Sequence, residues 1–101
     1  MAISNIKDDG TYFRIYDASG NLVSEKSHYR DEIICGNSEK IVVIDQDGYF
    51  KSYDDEFKKL GEKSHSSSEK VVSVSGREIT VSDTLSPSIT YDEKFQKLRY
   101  N

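Results

Sequence analysis

The stretch IVVIDQDGYFKSYD, residues 41–54, decides the fold, because a weaker copy of it, ISNIKDDGTYFRIYD, occupies residues 3–17. Shifting the sequence by 38 residues pairs Gly10 with Gly48, and a one-residue insertion near Thr11 continues the match. Self-similarity at a period of this size is typical of repeat proteins. We therefore expect one structural unit to be repeated along the chain.

The repeat reaches the end of the chain. A Tyr-Asp pair recurs three times, at Tyr16-Asp17, Tyr53-Asp54 and Tyr91-Asp92. The segment YDDEFKKL, residues 53–60, also aligns with YDEKFQKL, residues 91–98. A chain of 101 residues has the length of one ordinary domain. These observations predict a single domain, residues 1–101, made of three repeats at about residues 3–31, 32–69 and 70–101.

Within each repeat the residue pattern is that of β-strands. Residues 33–35 form a short apolar run, and REITVSD, residues 77–83, alternates apolar with polar side chains. Asp47-Gly48 and Asp9-Gly10 supply the residues that tolerate positive φ in tight hairpin turns. No window shows a helical apolar stripe with caps. We predict an all-β chain with four short antiparallel strands per repeat, except that the first repeat lacks its inner strand.

Four short strands in a repeat of this length resemble the blades of WD-repeat β-propellers. In that family the third strand ends in Trp-Asp, where this chain has its three Tyr-Asp pairs, and the preceding turn carries Asp-Gly, as two turns do here. A Gly-His pair follows the outer strand in the family, whereas Ser27-His28 and Ser64-His65 occupy that place here, and the chain contains no Trp. The resemblance implies propeller-like blades and, by analogy with a family of interaction platforms, a binding function without enzymatic activity.

Three blades are too few to close a ring, since closed propellers typically have about four to eight. Two terminal blades would then leave apolar faces in water, and such exposure usually marks an interface. We expect the ring to be completed by homo-oligomerisation, with a dimer as the simplest assembly and another protein as a further partner. The competing interpretation is an open array with polar caps. It is suggested by Ser4-Asn5, which stand where the middle repeat has Val42-Val43, and by Ser88, which stands where it has Phe50.

The Tyr-Asp pairs are the candidate ligand-binding residues. A Tyr ring offers a stacking surface and an Asp carboxylate accepts hydrogen bonds from hydroxyl groups. A lectin-like protein with repeated carbohydrate or small-ligand sites is therefore the alternative function. A packing role, in which each pair lies between blades and fixes a turn, is the favoured interpretation of the same residues. His28, His65, Asp47 and Gly48 are expected to have structural roles in turns.

Other chemistry has little support in the sequence. A thiol enzyme would pair Cys35 with a histidine, but Cys35 follows two isoleucines in a strand, where cysteine behaves as a small apolar residue. The segment DQDG, residues 45–48, lacks the remaining ligands of a calcium loop. The basic and aromatic residues 94–101 align with an ordinary outer strand rather than with a nucleic-acid site. We predict no catalytic residue, no metal site and no cofactor.

Charge and hydropathy exclude two classes of partner. A formal net charge of -4 gives no overall attraction for nucleic acid or for anionic membranes. No stretch approaches the roughly 20 apolar residues that span a bilayer, and residues 1–10 have no signal-peptide pattern. The single cysteine rules out an internal disulfide. We expect a cytoplasmic protein with no nucleic-acid or membrane partner.

Overall fold

The computed structural model describes residues 2–101, in which eleven β-strands form three antiparallel sheets. The first sheet has three strands, which are β1 (Asn5–Asp8), β2 (Tyr12–Tyr16) and β3 (Leu22–Ser27). The second sheet has four, which are β4 (Ile33–Asn37), β5 (Val42–Gln46), β6 (Tyr49–Tyr53) and β7 (Lys59–Ser64). The third sheet also has four, which are β8 (Glu69–Ser75), β9 (Glu78–Asp83), β10 (Ser86–Asp92) and β11 (Lys97–Tyr100).

Each sheet is a meander in which consecutive strands pair, so the order in space follows the order in the chain. The predicted all-β fold is confirmed, and so are the antiparallel sheets. Four strands per unit are found in the second and third sheets, whereas the first sheet has three. Residues 2–101 contain no helix of the length and hydropathy that crossing a membrane requires.

The strand registers correct the alignment of the repeats. Asp8 lies opposite Phe13 just as Asp45 lies opposite Phe50, so the first two hairpins have the same length and are 37 residues apart. The insertion expected near Thr11 is therefore absent. The extra residue lies in β10, where a register shift lengthens the third hairpin.

The two Asp-Gly sequences form different turns. Asp47 and Gly48 both have positive φ, 52° and 80°, which is the pattern of a type I′ turn. In the first sheet the N–H of Asp9 donates to the carbonyl of Tyr12, and of the two residues between them only Gly10 has positive φ. That pattern is type II′. Gly10 thus takes the place of Asp47 and not, as the alignment predicted, that of Gly48.

The three sheets stack face to face, and the core lies in the two junctions between them. We call the side of a sheet that faces the next sheet along the chain its forward face, and the other side its rear face. The first junction joins the first and second sheets, and its buried side chains include Phe13, Ile15, Val42, Ile44 and Tyr53. The second junction joins the second and third sheets, and its buried side chains include Val43, Phe50, Ile79, Val81 and Tyr91.

The central position of the second sheet explains the apolar run IVVI, residues 41–44. Successive side chains of a strand point to opposite faces. Val42 and Ile44 therefore enter the first junction, while Ile41 and Val43 enter the second, and all four are fully buried. A strand that is covered on both sides needs apolar residues at every position.

The second and third sheets approach each other closely at their inner strands. β4 and β8 are in contact, and a Cβ added at Gly36 of β4 would lie 2.8 Å from Cγ2 of Val74 on β8. A further close approach occurs at the outer strand, where a Cβ at Gly61 would lie 2.5 Å from the carbonyl oxygen of Lys94. Both glycines thus occur where a neighbouring sheet leaves no room for a side chain.

Candidate functional site

The three aspartates of the Tyr-Asp pairs fix the turn that follows the third strand of each repeat. In each turn Oδ1 of the aspartate accepts hydrogen bonds of 2.9 Å from the main-chain N–H groups two and four residues later. The three aspartates are Asp17, Asp54 and Asp92. One oxygen of every carboxylate is therefore committed to the turn.

The residue three positions after each of these aspartates has a left-handed main chain. It is Gly20 in the first turn, with φ of 84°, but Phe57 and Phe95 in the others, with φ of 58° and 61°. This conformation is unfavourable for a side chain as bulky as Phe. The Phe57 ring packs 6.2 Å from that of Tyr53 in the first junction, and Phe95 packs in the second junction. Burial of the two rings holds the turns in place.

Two of the three tyrosines are contacts between sheets. Tyr53 and Tyr91 are each only 7% exposed on the rear faces of their sheets. Nζ of Lys26, from the first sheet, lies 5.6 Å from the centre of the Tyr53 ring, and Nζ of Lys63, from the second, lies 5.7 Å from that of Tyr91. Such cation–π contacts join consecutive sheets. Tyr16, on the rear face of the first sheet, is half-buried.

His28 joins the end of the first sheet to the following loop. Its ring stacks on Phe13, with 4.3 Å between ring centroids. Nδ1 lies 2.7 Å from Oδ1 of Asp8, and Nε2 lies 2.9 Å from the carbonyl oxygen of Glu32. Both ring nitrogens are therefore engaged in hydrogen bonds within the chain.

His65 makes a related set of contacts in the second sheet, with the roles of its two ring nitrogens exchanged and a different carbonyl partner. It stacks on Phe50 at 3.9 Å, with Nε2 2.8 Å from Oδ1 of Asp45 and Nδ1 2.8 Å from the carbonyl oxygen of Ser66. Burial by itself lowers the pKa of His65, but the hydrogen bonds to Ser66 and Asp45 outweigh it, so that pKa is raised. These acceptors stabilise the protonated ring.

A lysine and a glutamate complete each of these connections. Nζ of Lys26 lies 2.7 Å from a carboxylate oxygen of Glu32, whose side chain is almost fully buried, and Lys63 pairs with Glu69 at 2.8 Å. Each glutamate also accepts a hydrogen bond from a main-chain N–H at the start of its loop. The spacing Lys-x-His-x-x-x-Glu occurs at residues 26–32 and 63–69. Sequence reasoning found the histidines but missed the lysines and glutamates, although this repeated spacing was the available signal.

Cys35 lies in a setting that suppresses thiol chemistry. Burial, with a further contribution from the negative charge of Asp45, raises the pKa of Cys35 to about 12. Its Sγ lies 3.5 Å from the carbonyl oxygen of Val43. The thiol is therefore protonated at neutral pH, whereas a nucleophilic cysteine requires the thiolate.

A polar cleft opens at the second junction. Its volume is about 260 Å³, and its lining residues are Lys40, Asp54, Asp55, Leu60 and Arg77. Lys40 and Arg77 come from hairpins of adjacent sheets, and Nη1 of Arg77 is 2.6 Å from Oε2 of Glu93. Asp54 is the member of the Tyr-Asp pairs that lines this cleft. Within residues 2–101, no three His, Cys, Asp or Glu side chains are grouped as a metal site requires.

No family model, no curated protein and no solved structure matches this chain.

Proposed function

We propose that this chain is a non-enzymatic protein-interaction module of propeller-like blades that associates with itself. The main support for this proposal is a pair of exposed apolar side chains on the forward face of the third sheet. The outer strand of each sheet has one extra residue where the register shifts, namely Val23, Leu60 and Leu98. Val23 and Leu60 pack in the junctions, whereas Leu98 is 47% exposed.

The inner strands repeat this difference between the second and third sheets. Cys35 is the extra residue in β4 and packs in the second junction, while Val72 is the extra residue in β8 and is 58% exposed. The third sheet therefore presents to solvent the two side chains whose counterparts the second sheet buries. Exposed apolar positions of this kind favour the docking of a further sheet, and a second copy of the chain is the partner we propose.

Polar residues on the terminal faces limit the strength of this association. The forward face of the third sheet has Glu78, Thr80 and Ser88 at the positions of Ile41, Val43 and Phe50. The rear face of the first sheet has Asn5 and Lys7 at the positions of Val42 and Ile44. The expected pair of apolar terminal faces is thus reduced to a few side chains. Because apolar area drives association, we propose a weak, concentration-dependent assembly.

Sedimentation velocity at increasing concentration tests this proposal. The chain has a mass of 11.5 kDa, and we expect the average mass to rise toward twice that value. Leu98→Lys should restore the monomer, because it places a charge in the contact. Leu85→Lys is the matched control, since Leu85 is 87% exposed in the hairpin between β9 and β10. A mass of 11.5 kDa that does not change up to millimolar concentration would exclude self-association.

Binding of a carbohydrate or another small polar ligand is a second candidate, favoured by the cleft at the second junction. Asp54 and Arg77 would supply an acceptor and donors for such a ligand. Saturation-transfer NMR over a panel of sugars should then show contact that Arg77→Ala weakens. Arg14→Ala, which removes the same charge from the first sheet, should leave it unchanged. Lack of transfer from every sugar would count against this candidate.

A further inference from the structure

The first sheet lacks the inner strand that the other two sheets contain. β5 pairs with β4, and β9 pairs with β8, but β1, in the equivalent position, pairs only with β2 in the part of the chain described. One edge of β1 is therefore unpaired at a place where both other sheets hold a strand. An unpaired edge is a template for adding a strand.

The main-chain groups of Ile6 and Asp8 point to this open edge. In an antiparallel pair, residues that exchange hydrogen bonds alternate with residues that do not. The N–H of Asp9 donates to the carbonyl of Tyr12, so Lys7, two residues earlier, also directs its N–H and C=O toward β2. Ile6 and Asp8 consequently direct theirs away from β2.

The second sheet shows how these groups are used when the inner strand is present. The counterparts of Ile6 and Asp8 are Val43 and Asp45, which lie opposite Gly36 and Ile33 of β4. The open edge of β1 thus offers the same pattern of donors and acceptors that β4 meets on β5. An extended segment in the orientation of β4 would pair with it in the same way.

The neighbouring side chains define what such a segment must contain. The residue opposite Ile6 would occupy the place of Gly36, where an added Cβ would lie 2.8 Å from Cγ2 of Val74 and 3.4 Å from Cγ1 of Val71 on β8. By the repeat, β4 stands to the open position as β8 stands to β4, so we expect a small residue there. The residue opposite Lys7 would occupy the place of Ile34, but on a face that no sheet covers. An acidic side chain is favoured there because it lies directly across from the Lys7 ammonium.

The open position has room for one strand. β8 covers the forward side of β4, and by the repeat we infer that β4 covers the forward side of the open position in the same way. Pairing of β1 with β1 of a second copy would be related by a two-fold axis normal to the sheet. That symmetry would bring both second sheets to the same side, with β5 of the second copy in the space that β4 of the first copy occupies. The row of inner strands is therefore continued by a single added segment and not by a second copy.

We propose that the open edge of β1 binds an extended peptide segment of another protein, antiparallel to β1. The segment has a small residue opposite Ile6 and an acidic residue opposite Lys7. Main-chain hydrogen bonds supply affinity and the two side-chain positions supply specificity, as in other cases of strand addition. This binding uses a different surface from the terminal faces and does not require self-association.

NMR titration of the ¹⁵N-labelled chain tests the proposal. The probe is a synthetic peptide with the sequence of residues 31–39, in which Ile34→Glu and Cys35→Ser have been made. We expect saturable shifts of the Ile6 and Asp8 amides and slower hydrogen exchange at both. The control peptide is N-methylated at the residue copied from Gly36, which faces β1. Loss of one hydrogen bond should weaken its binding about tenfold.

Variants of the chain provide the matching test. Ile6→Pro removes the N–H that points to the open edge. Ile6→Ala also removes the isoleucine side chain but keeps this N–H. Only the proline variant should therefore bind the peptide about tenfold more weakly. Lys7→Glu should reverse the preference, so that a peptide with Lys at the acidic position binds better. Equal binding of the N-methylated peptide would overturn the proposal, as would protection of the β1 amides by a second copy before peptide is added. Neither result affects the sedimentation experiment. A failure of peptide binding can therefore be distinguished from a failure of self-association.

Discussion

The repeated aspartates stabilise turns by accepting hydrogen bonds from main-chain N–H groups. The sequence identified the three Tyr-Asp pairs because they recur, and the structure places each aspartate at a turn that it closes with one oxygen. The sequence did not reveal the left-handed residue in that turn. Glycine marks it in the first repeat, but Phe57 and Phe95 do so in the others, and Phe has no intrinsic preference for positive φ. Only burial of the rings in the junctions explains them.

Substitutions at Phe95 should reverse the usual order of glycine and alanine. Both changes remove the buried ring, but Phe95→Gly also removes the strain of φ at 61°. We expect Phe95→Gly to be about 1 kcal/mol more stable than Phe95→Ala. Urea unfolding of both variants measures the difference. The same pair of changes at Phe13, whose φ is not positive, is the control and should favour alanine.

The contribution of His65 to stability should depend on pH. Its pKa in the folded chain is raised above the ordinary value of about 6.5. Its stabilising effect is therefore complete below the unfolded pKa and is lost as pH rises through the folded pKa. The difference in free energy of unfolding between the native chain and His65→Gln should be larger at pH 5.5 than at pH 8.5. Asp45→Asn, which removes the carboxylate acceptor, should flatten this dependence, and an unchanged slope would contradict the assignment.

The sequence predicted the β-strands themselves better than the registers in which they pair. Alternating side chains and turn residues indicated antiparallel strands, because both signals are local. The registers depend on turn type, and the two Asp-Gly sequences look alike although one gives type I′ and the other type II′. Contacts between sheets, such as that of Lys26 with Tyr53, join residues that are distant in sequence and lie on different sheets. No local pattern reports them.

The outer strand of the second sheet should not tolerate a side chain at Gly61. A Cβ there would lie 2.5 Å from the carbonyl oxygen of Lys94, and the clash involves main chain, which cannot rotate away. We expect Gly61→Ala to lower the free energy of unfolding by about 1–3 kcal/mol. Ser64→Ala, at the exposed end of the same strand, is the control and should change it by less than about 0.5 kcal/mol. Equal urea midpoints for the two variants would contradict the close approach.

At the scale of the whole molecule, the outer faces of the first and third sheets are more polar than the two faces of the second sheet. The polar residues of the end repeats, Ser4-Asn5 and Ser88, already suggested polar caps, and the registers show further polar positions on the terminal faces. On the third sheet Arg99 lies opposite Thr90, as Gly61 lies opposite Ser52. It pairs with Glu78 at 2.7 Å. A charged side chain thus occupies the place where the second sheet receives the turn of its neighbour.

Removal of Arg99 should strengthen self-association. Arg99→Gly restores the residue type that permits close approach at Gly61, so we expect the dissociation constant of the assembly to fall severalfold. Sedimentation velocity measures this change. Arg30→Gly, in the loop between the first and second sheets, removes the same charge and should have no such effect. An unchanged dissociation constant for Arg99→Gly would show that copies do not meet at this face.

The repeated junction has a consequence for how such a chain grows. The rear face of the second sheet fits the sheet before it, and its forward face fits the sheet after it, through side chains of the same kind at equivalent positions. A duplicate of this unit, inserted behind the original, would meet a complementary surface on both sides. An array lengthened by internal duplication therefore needs no new side chains in its interior junctions. Substitutions that limit the number of sheets are needed only on the two terminal sheets.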